Sequence, residues 1–180
     1  MSRTTGDEEG ETPRRPAVAY ADAAATVDIE VSRVTTDRAH DALVDRCEGL
    51  TVGSPLPFDG VSLPESVVTE PTWEQRREAE TGVTAGRFAI AAYGTVAITA
   101  TEAMEGSVSL FPPRHVAVVR ERDVVPDMER AFDRLEETIA SGDDDVVFLT
   151  GPSATADMGS LVQGVHGPAE MHVVLLEEDA

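Results

Sequence analysis

The residues best placed to do chemistry lie in a short run: Gly151-Pro152-Ser153-Ala154-Thr155, with Asp157 two positions on. Backbone N–H groups left unpaired at a helix start, together with neighbouring hydroxyls, can hold a phosphate or a carboxylate. The same residues are also good turn-and-cap chemistry that needs no ligand. Asp157, in the first turn of the helix expected here, would itself answer the helix dipole. Gly94-Thr95 offers close backbone approach and a hydroxyl, or a bulge with no ligand. His166-Gly167, in a tight Gly/Pro return, could reach solvent or a cleft. No two histidines or acids show metal-ligand spacing such as His-x-x-x-His, so no bound metal is expected. Cys47 is the single cysteine, which leaves no thiolate set for an iron–sulfur cluster. There is no Gly-x-Gly-x-x-Gly after a strand, and no cofactor is expected.

These residues need elements to position them. Val146–Leu149, Val173–Leu176 and Val116–Val119 are short, wholly apolar runs, as strands covered on both faces are. Between the first two, the pattern predicts a turn, a short helix capped by Ser153 or Thr155, and a glycine-rich return. Pro126 opens another helix, on which Met128, Phe132, Leu135 and Ile139 form a stripe read as core, and Gly142 closes it. From His115 onward the order is therefore strand, helix, strand, helix, strand. That alternation predicts an α/β fold, an open and mostly parallel sheet flanked by helices. Ligands in such sheets sit beyond the carboxyl ends of the strands, and the turn at Gly151 is expected at one of them.

Upstream, Val27–Val34 alternates apolar and polar residues and reads as a half-exposed strand. Ala39, Ala42, Leu43 and Cys47 share one side of a helix. Gly53–Thr72 holds Pro55, Pro57, Pro64 and Pro71, so it reads as a long ordered connection, either a site wall or a surface crossover. Thr72 caps a short polar helix, with Trp73 expected at the core edge. Phe88–Thr99 reads as strand, kink, strand about Gly94. The segment from Glu105 to Arg114 reads as a loop.

Composition sets the boundaries. The chain has 180 residues with 34 acids against 14 basic residues, all arginine, and a formal charge of −20. Residues 1–15 read as a disordered acidic tail and 16–180 as a single domain. So acidic a body repels nucleic acid and anionic lipid. Its lack of lysine suggests adaptation to concentrated intracellular salt, where screening tempers self-repulsion. No membrane span is expected, because the longest charge-free apolar stretch is short and broken by Gly94. With no apolar segment behind the charges of its first residues, the chain reads as cytoplasmic.

Three stretches carry a resemblance: AIAAYGTVAI at Ala89–Ile98, SLFPPRHVAVVRERDVVPDM at Ser109–Met128, and TGPSATADMGSLVQGVHGPAEMHVVLL from Thr150. In this order, within Thr81–Glu177, they resemble the lactate-utilisation (LUD) domain family. Where the family often reads Ile-Ala-Glu-Thr-Gly-Thr, this chain has Ile90, Ala91, Ala92, Tyr93, Gly94 and Thr95, without the acid. The resemblance implies the NagB/RpiA/CoA-transferase-like fold, a part in oxidising L-lactate to pyruvate, and iron–sulfur subunits as partners. Since the sequence shows no electron carrier, the expectation is a non-redox subunit. It would bind a small carboxylate or phosphate through Gly94, Thr95, Gly151, Pro152, Ser153, Thr155, Asp157, His166 and Gly167, and dock on those subunits. A stand-alone isomerase or CoA-transferase-like enzyme and a small-ligand sensor are the alternatives. Ala92 cannot serve as acid, base or nucleophile, so no catalytic residue is assigned. Assembly into a homo-oligomer is left open.

Overall fold

The computed structural model describes residues 15–101, 104–152, 154–157, 160–163 and 166–178, without the side chains of 154–157 and 160–163. In chain order the elements are α1 (Pro16–Ala25), β1 (Ile29–Val34), α2 (Ala39–Val44), β2 (Thr51–Gly53), α3 (Trp73–Glu78), β3 (Thr81–Ala85), β4 (Phe88–Ile90) and β5 (Thr95–Thr99). They continue with α4 (Glu105–Leu110), β6 (Arg114–Arg120), β7 (Val124–Val125), α5 (Met128–Ala140), β8 (Val146–Leu149), β9 (Ala154–Asp157), β10 (Ser160–Gln163) and β11 (Glu170–Leu176).

Five strands form a wholly parallel sheet in the order β1-β11-β6-β3-β2. β11 lies between β1 and β6, and Met171–Leu176 are all buried, which is why this run is continuously apolar. One face of the sheet, through Val116, Val118, Val174 and Leu176, packs on Ala39 and Leu43 of α2 and on Phe58 and Val61. The other face, through Ala117, Val119, Val173 and Leu175, packs on α1 and on the inner side of a second sheet. That second sheet has the order β7-β4-β5-β8, and its outer side, with Phe88, Ile90 and Ala97, is covered by Ala131 of α5.

α1 escapes a reading of periodicity because it is mostly alanine. Pro16 starts it, Ala17, Tyr20 and Ala24 bury one side, and the Thr26 hydroxyl donates to the Ala23 carbonyl at its end. Glu105–Leu110, expected as loop, is helical, and the Glu105 carboxylate accepts from the Thr101 N–H (2.8 Å) just before it.

The helical crossover expected between Val146–Leu149 and Val173–Leu176 is corrected. β8 joins the second sheet, antiparallel to β5, and no helix follows it among the described residues. Residues 154–157 and 160–163 pair as antiparallel strands, so the helix that Ser153 or Thr155 was expected to cap is absent there. Only Met158, Leu161 and Val162 in this stretch are large and apolar, too few to hold a short helix against a sheet. Two core expectations also change. Trp73 is 56% exposed and meets Phe111 edge-on, with centroids 5.3 Å apart. Met128 and Phe132 are exposed, because α5 turns Ala131 and Thr138 inward instead.

Candidate functional site

The Gly94 kink and the loop leaving β8 do meet. The hydroxyls of Thr95 and Thr150 lie 2.6 Å apart, joining the start of β5 to the end of β8. The space beside them is filled by α1 and its exit. Gly94 has φ +64°, and a Cβ there would come within 2.8 Å of Ala24 Cα and 2.9 Å of Ala24 N. Gly151 has φ +77°, and its Cβ would come within 2.4 Å of the Val27 carbonyl oxygen. Both glycines serve close packing of backbone on backbone. Ser153 lies outside the described residues. Thr155 and Asp157 sit on β9, in register with Val162 and Ser160, and their side chains lie outside the described set. His166 is exposed and Gly167 half-buried just before β11.

Pro152 borders a groove of about 430 Å³ at the amino ends of β1 and β11. Arg114 stands there between Glu48 and Glu170, each at 2.7 Å, and Arg46 holds Glu30 at 2.7 Å. Asp28 and Asp45 add further carboxylates. With every arginine of the groove answered by an acid, little positive charge is left there for an anionic ligand.

The carboxyl ends of the parallel strands open on a different cavity, of about 400 Å³. Pro55–Phe58, from the proline-rich connection after β2, forms one wall, and Gly86 and Arg87 after β3 form the floor. Here the two sheets part: the Gly86 N–H donates to the Val118 carbonyl (2.7 Å) and the Arg87 N–H to the Ala97 carbonyl (2.8 Å). A Cβ on Gly86 would come within 2.5 Å of Val119 Cγ2 and 2.8 Å of Val96 Cγ1, so only glycine lets the chain cross. Arg120, at the end of β6, donates to the Pro57 carbonyl (3.2 Å) and lies 4.9 Å from the centroid of the Phe58 ring.

The polar groups of this cleft divide into held and free. Asp123 is held by Arg134 at 2.6 Å, and Glu105 by Thr101. Arg87 is exposed and has no ion pair among the described residues. Thr99, at the end of β5, is 9% exposed, and its hydroxyl is buried without a partner among the described residues. A free guanidinium beside an apolar wall, with a buried hydroxyl behind it, can hold a small carboxylate. Asp143 also lines the cleft and has no ion pair among the described residues, and no histidine or cysteine lines it among them.

The buried titratable groups lie in the packed body. Burial pushes His115 down to about 3, and its Nε2 shares a hydrogen bond with the Thr84 hydroxyl (2.8 Å). Burial, with the nearby Arg46 charge, pushes His172 down to about 4, against the opposing pull of Glu30. Both rings are neutral at neutral pH and act as hydrogen-bond partners between strands. Burial likewise raises the Tyr20 phenol. Sequence reasoning missed Arg87 and Thr99. The available signal was Gly86-Arg87 directly after a strand that runs parallel to its neighbours.

A parallel five-stranded sheet with a second sheet on one face, parting at its carboxyl edge around a small cavity, defines an open α/β class. A crystal structure of a DUF162 family protein from Deinococcus radiodurans has this fold, with a TM-score of 0.70 at 18% identity over 92% of this chain and 99% of that one. The LUD domain matches residues 67–176. A lactate utilization protein C from Bacillus velezensis is 32% identical over 84% of this chain and 75% of its own length. Its counterpart from Bacillus subtilis is 33% identical over 58% of this chain and 45% of its own length, so the match spans less than half of that relative. The chain belongs to the LUD domain family.

Proposed function

We propose that this chain is a non-redox subunit of a lactate-utilisation system. It holds a small carboxylate at the carboxyl-edge cleft and docks on iron–sulfur subunits that carry the electrons. The pathway follows from relatives that bear the name lactate utilization protein C. The ligand class rests on one observation: Arg87, with no ion pair among the described residues, stands in the cleft where ligands of open parallel sheets bind. Lactate and pyruvate are the natural occupants, the carboxylate on Arg87 and the adjoining oxygen toward Thr99.

Thermal melts in molar KCl with lactate, pyruvate, phosphate and coenzyme A test the ligand. A ligand at about a hundred times its Kd adds about 2.7 kcal/mol. For a domain of this size that is a rise of roughly 5–10 °C. Lactate or pyruvate is expected to give it, and Arg87→Ala to abolish it. A rise with phosphate alone, or one that survives Arg87→Ala, refutes the carboxylate reading. Undiminished growth on lactate after deletion of the gene refutes the pathway.

A further inference from the structure

α5 is amphipathic in sequence, yet it shows the wrong side to the body. Its inward positions are Ala131 and Thr138, while Phe132 is 62% and Ile139 50% exposed, with Met128 exposed beside them. Phe148 on β8, 42% exposed, adjoins this face: its ring meets Phe88 edge-on at 6.1 Å, and Phe88 also belongs to the cluster that receives Ala131. β8 is the last strand of the second sheet, and its outer edge is unpaired among the described residues. Large apolar side chains gathered beside an open strand edge mark an interaction surface.

Charge indicates what covers it. Glu129, Asp133, Glu136 and Glu137 share α5 with the apolar stripe, and Asp144 and Asp145 follow it, while Asp143 lines the carboxyl-edge cleft. Arg130 pairs with Asp133, and Arg134 with Asp123 and Glu137. Glu129, Glu136, Asp143, Asp144 and Asp145 have no ion pair among the described residues. A second copy of this chain would bring acid against acid around the patch, which costs affinity. A partner with an apolar groove rimmed by arginine and lysine meets both features.

We propose that the α5–β8 face docks such a partner, through Phe132, Ile139 and Phe148 as anchors and the acidic rim as the steering element. On the reading given above, that partner is the iron–sulfur subunit, and this inference rests on that reading. The test is capture of co-expressed iron–sulfur subunits by the full-length tagged chain, read by their visible absorbance. The wild type and Arg87→Ala are compared with Phe132→Glu/Ile139→Glu and with Asp144→Arg/Asp145→Arg. Since the substituted apolar residues are exposed, melts of the first double variant should match the wild type. Wild type and Arg87→Ala are expected to capture the cluster proteins, and each double variant to lose about tenfold or more in capture. Capture undiminished by Phe132→Glu/Ile139→Glu overturns the docking face and leaves the proposed function standing. No capture by the wild type overturns the proposed function and this inference with it. A dimer in sedimentation that Phe132→Glu/Ile139→Glu dissolves assigns the face to a second copy and overturns the basic partner.

Discussion

Gly94→Ala separates packing from ligand binding at the kink. Gly94 has φ +64°, and an L-residue in that left-handed region costs about 1–2 kcal/mol. The added methyl would also lie 2.8 Å from Ala24 Cα and 2.9 Å from Ala24 N. Because those atoms belong to the α1 backbone, no rotamer change relieves the clash, and overpacking of this kind costs about 1–3 kcal/mol more. The sum is about 2–5 kcal/mol. At about 2–4 °C per kcal/mol for a domain of this size, that lowers Tm by about 4–20 °C. The matched control is Gly142→Ala. Gly142 has φ +99° with nothing within 4 Å of a built Cβ, so only the backbone cost applies. Circular dichroism melts of the three proteins in molar KCl should rank wild type highest, Gly142→Ala next and Gly94→Ala lowest. A Gly94→Ala protein as stable as Gly142→Ala would refute the packing argument, and a loss of ligand response without loss of stability would return Gly94 to the site.

Other substitutions and conditions give further tests. His115 has a folded-state pKa of about 3, well below its ordinary value, so its contribution is fully present above about pH 6.5 and declines as pH falls toward 3. Between pH 6.5 and 5 the loss is about 2 kcal/mol, at about 1.4 kcal/mol per pH unit. His115→Gln should flatten that acid limb in urea melts at stepped pH, and an unchanged slope would show that other groups set it. Thr95→Val leaves the Thr150 hydroxyl without its 2.6 Å partner and should cost about 1–2 kcal/mol. Thr95→Val/Thr150→Val should cost less than the sum of the two single changes, read from urea midpoints. With a formal charge of −20, the chain should gain stability as KCl rises from 0.1 to 1 M, since the Debye length falls from about 10 Å to about 3 Å. A Tm indifferent to KCl would remove the case for adaptation to salt.

Sequence reading reached the elements whose patterns are locally complete. Val116–Val119 and Val173–Leu176 are buried parallel strands, as their unbroken apolar runs implied, and Thr72 caps α3 through the Gln75 N–H with the reciprocal Gln75 contact. It did not reach the partition into two sheets. Val146–Leu149 looks the same whether it lies parallel in one sheet or antiparallel in another, because its run encodes burial and not its neighbour. The site shifted for the same reason: once β8 leaves the parallel sheet, the Gly151 turn no longer stands at that sheet's carboxyl edge. The proline-rich connection was legible as a site wall or a crossover, and Pro55–Phe58 does line the cleft. α5 shows the opposite failure. Its stripe is regular, yet periodicity cannot tell a face turned to the core from one held for a partner.

The family match begins at residue 67, whereas α1 and β1 lie before it, and β1 pairs with β11 along its length. A clone trimmed to that match would keep every residue the family recognises and still strip one side of its most hydrophobic strand. The bared backbone of Met171–Leu176 would be a template for stacking one molecule on the next. Insoluble expression of such a fragment would therefore report missing neighbour strands, and adding back residues 16–66, which carry both β1 and β2, is the remedy the topology dictates.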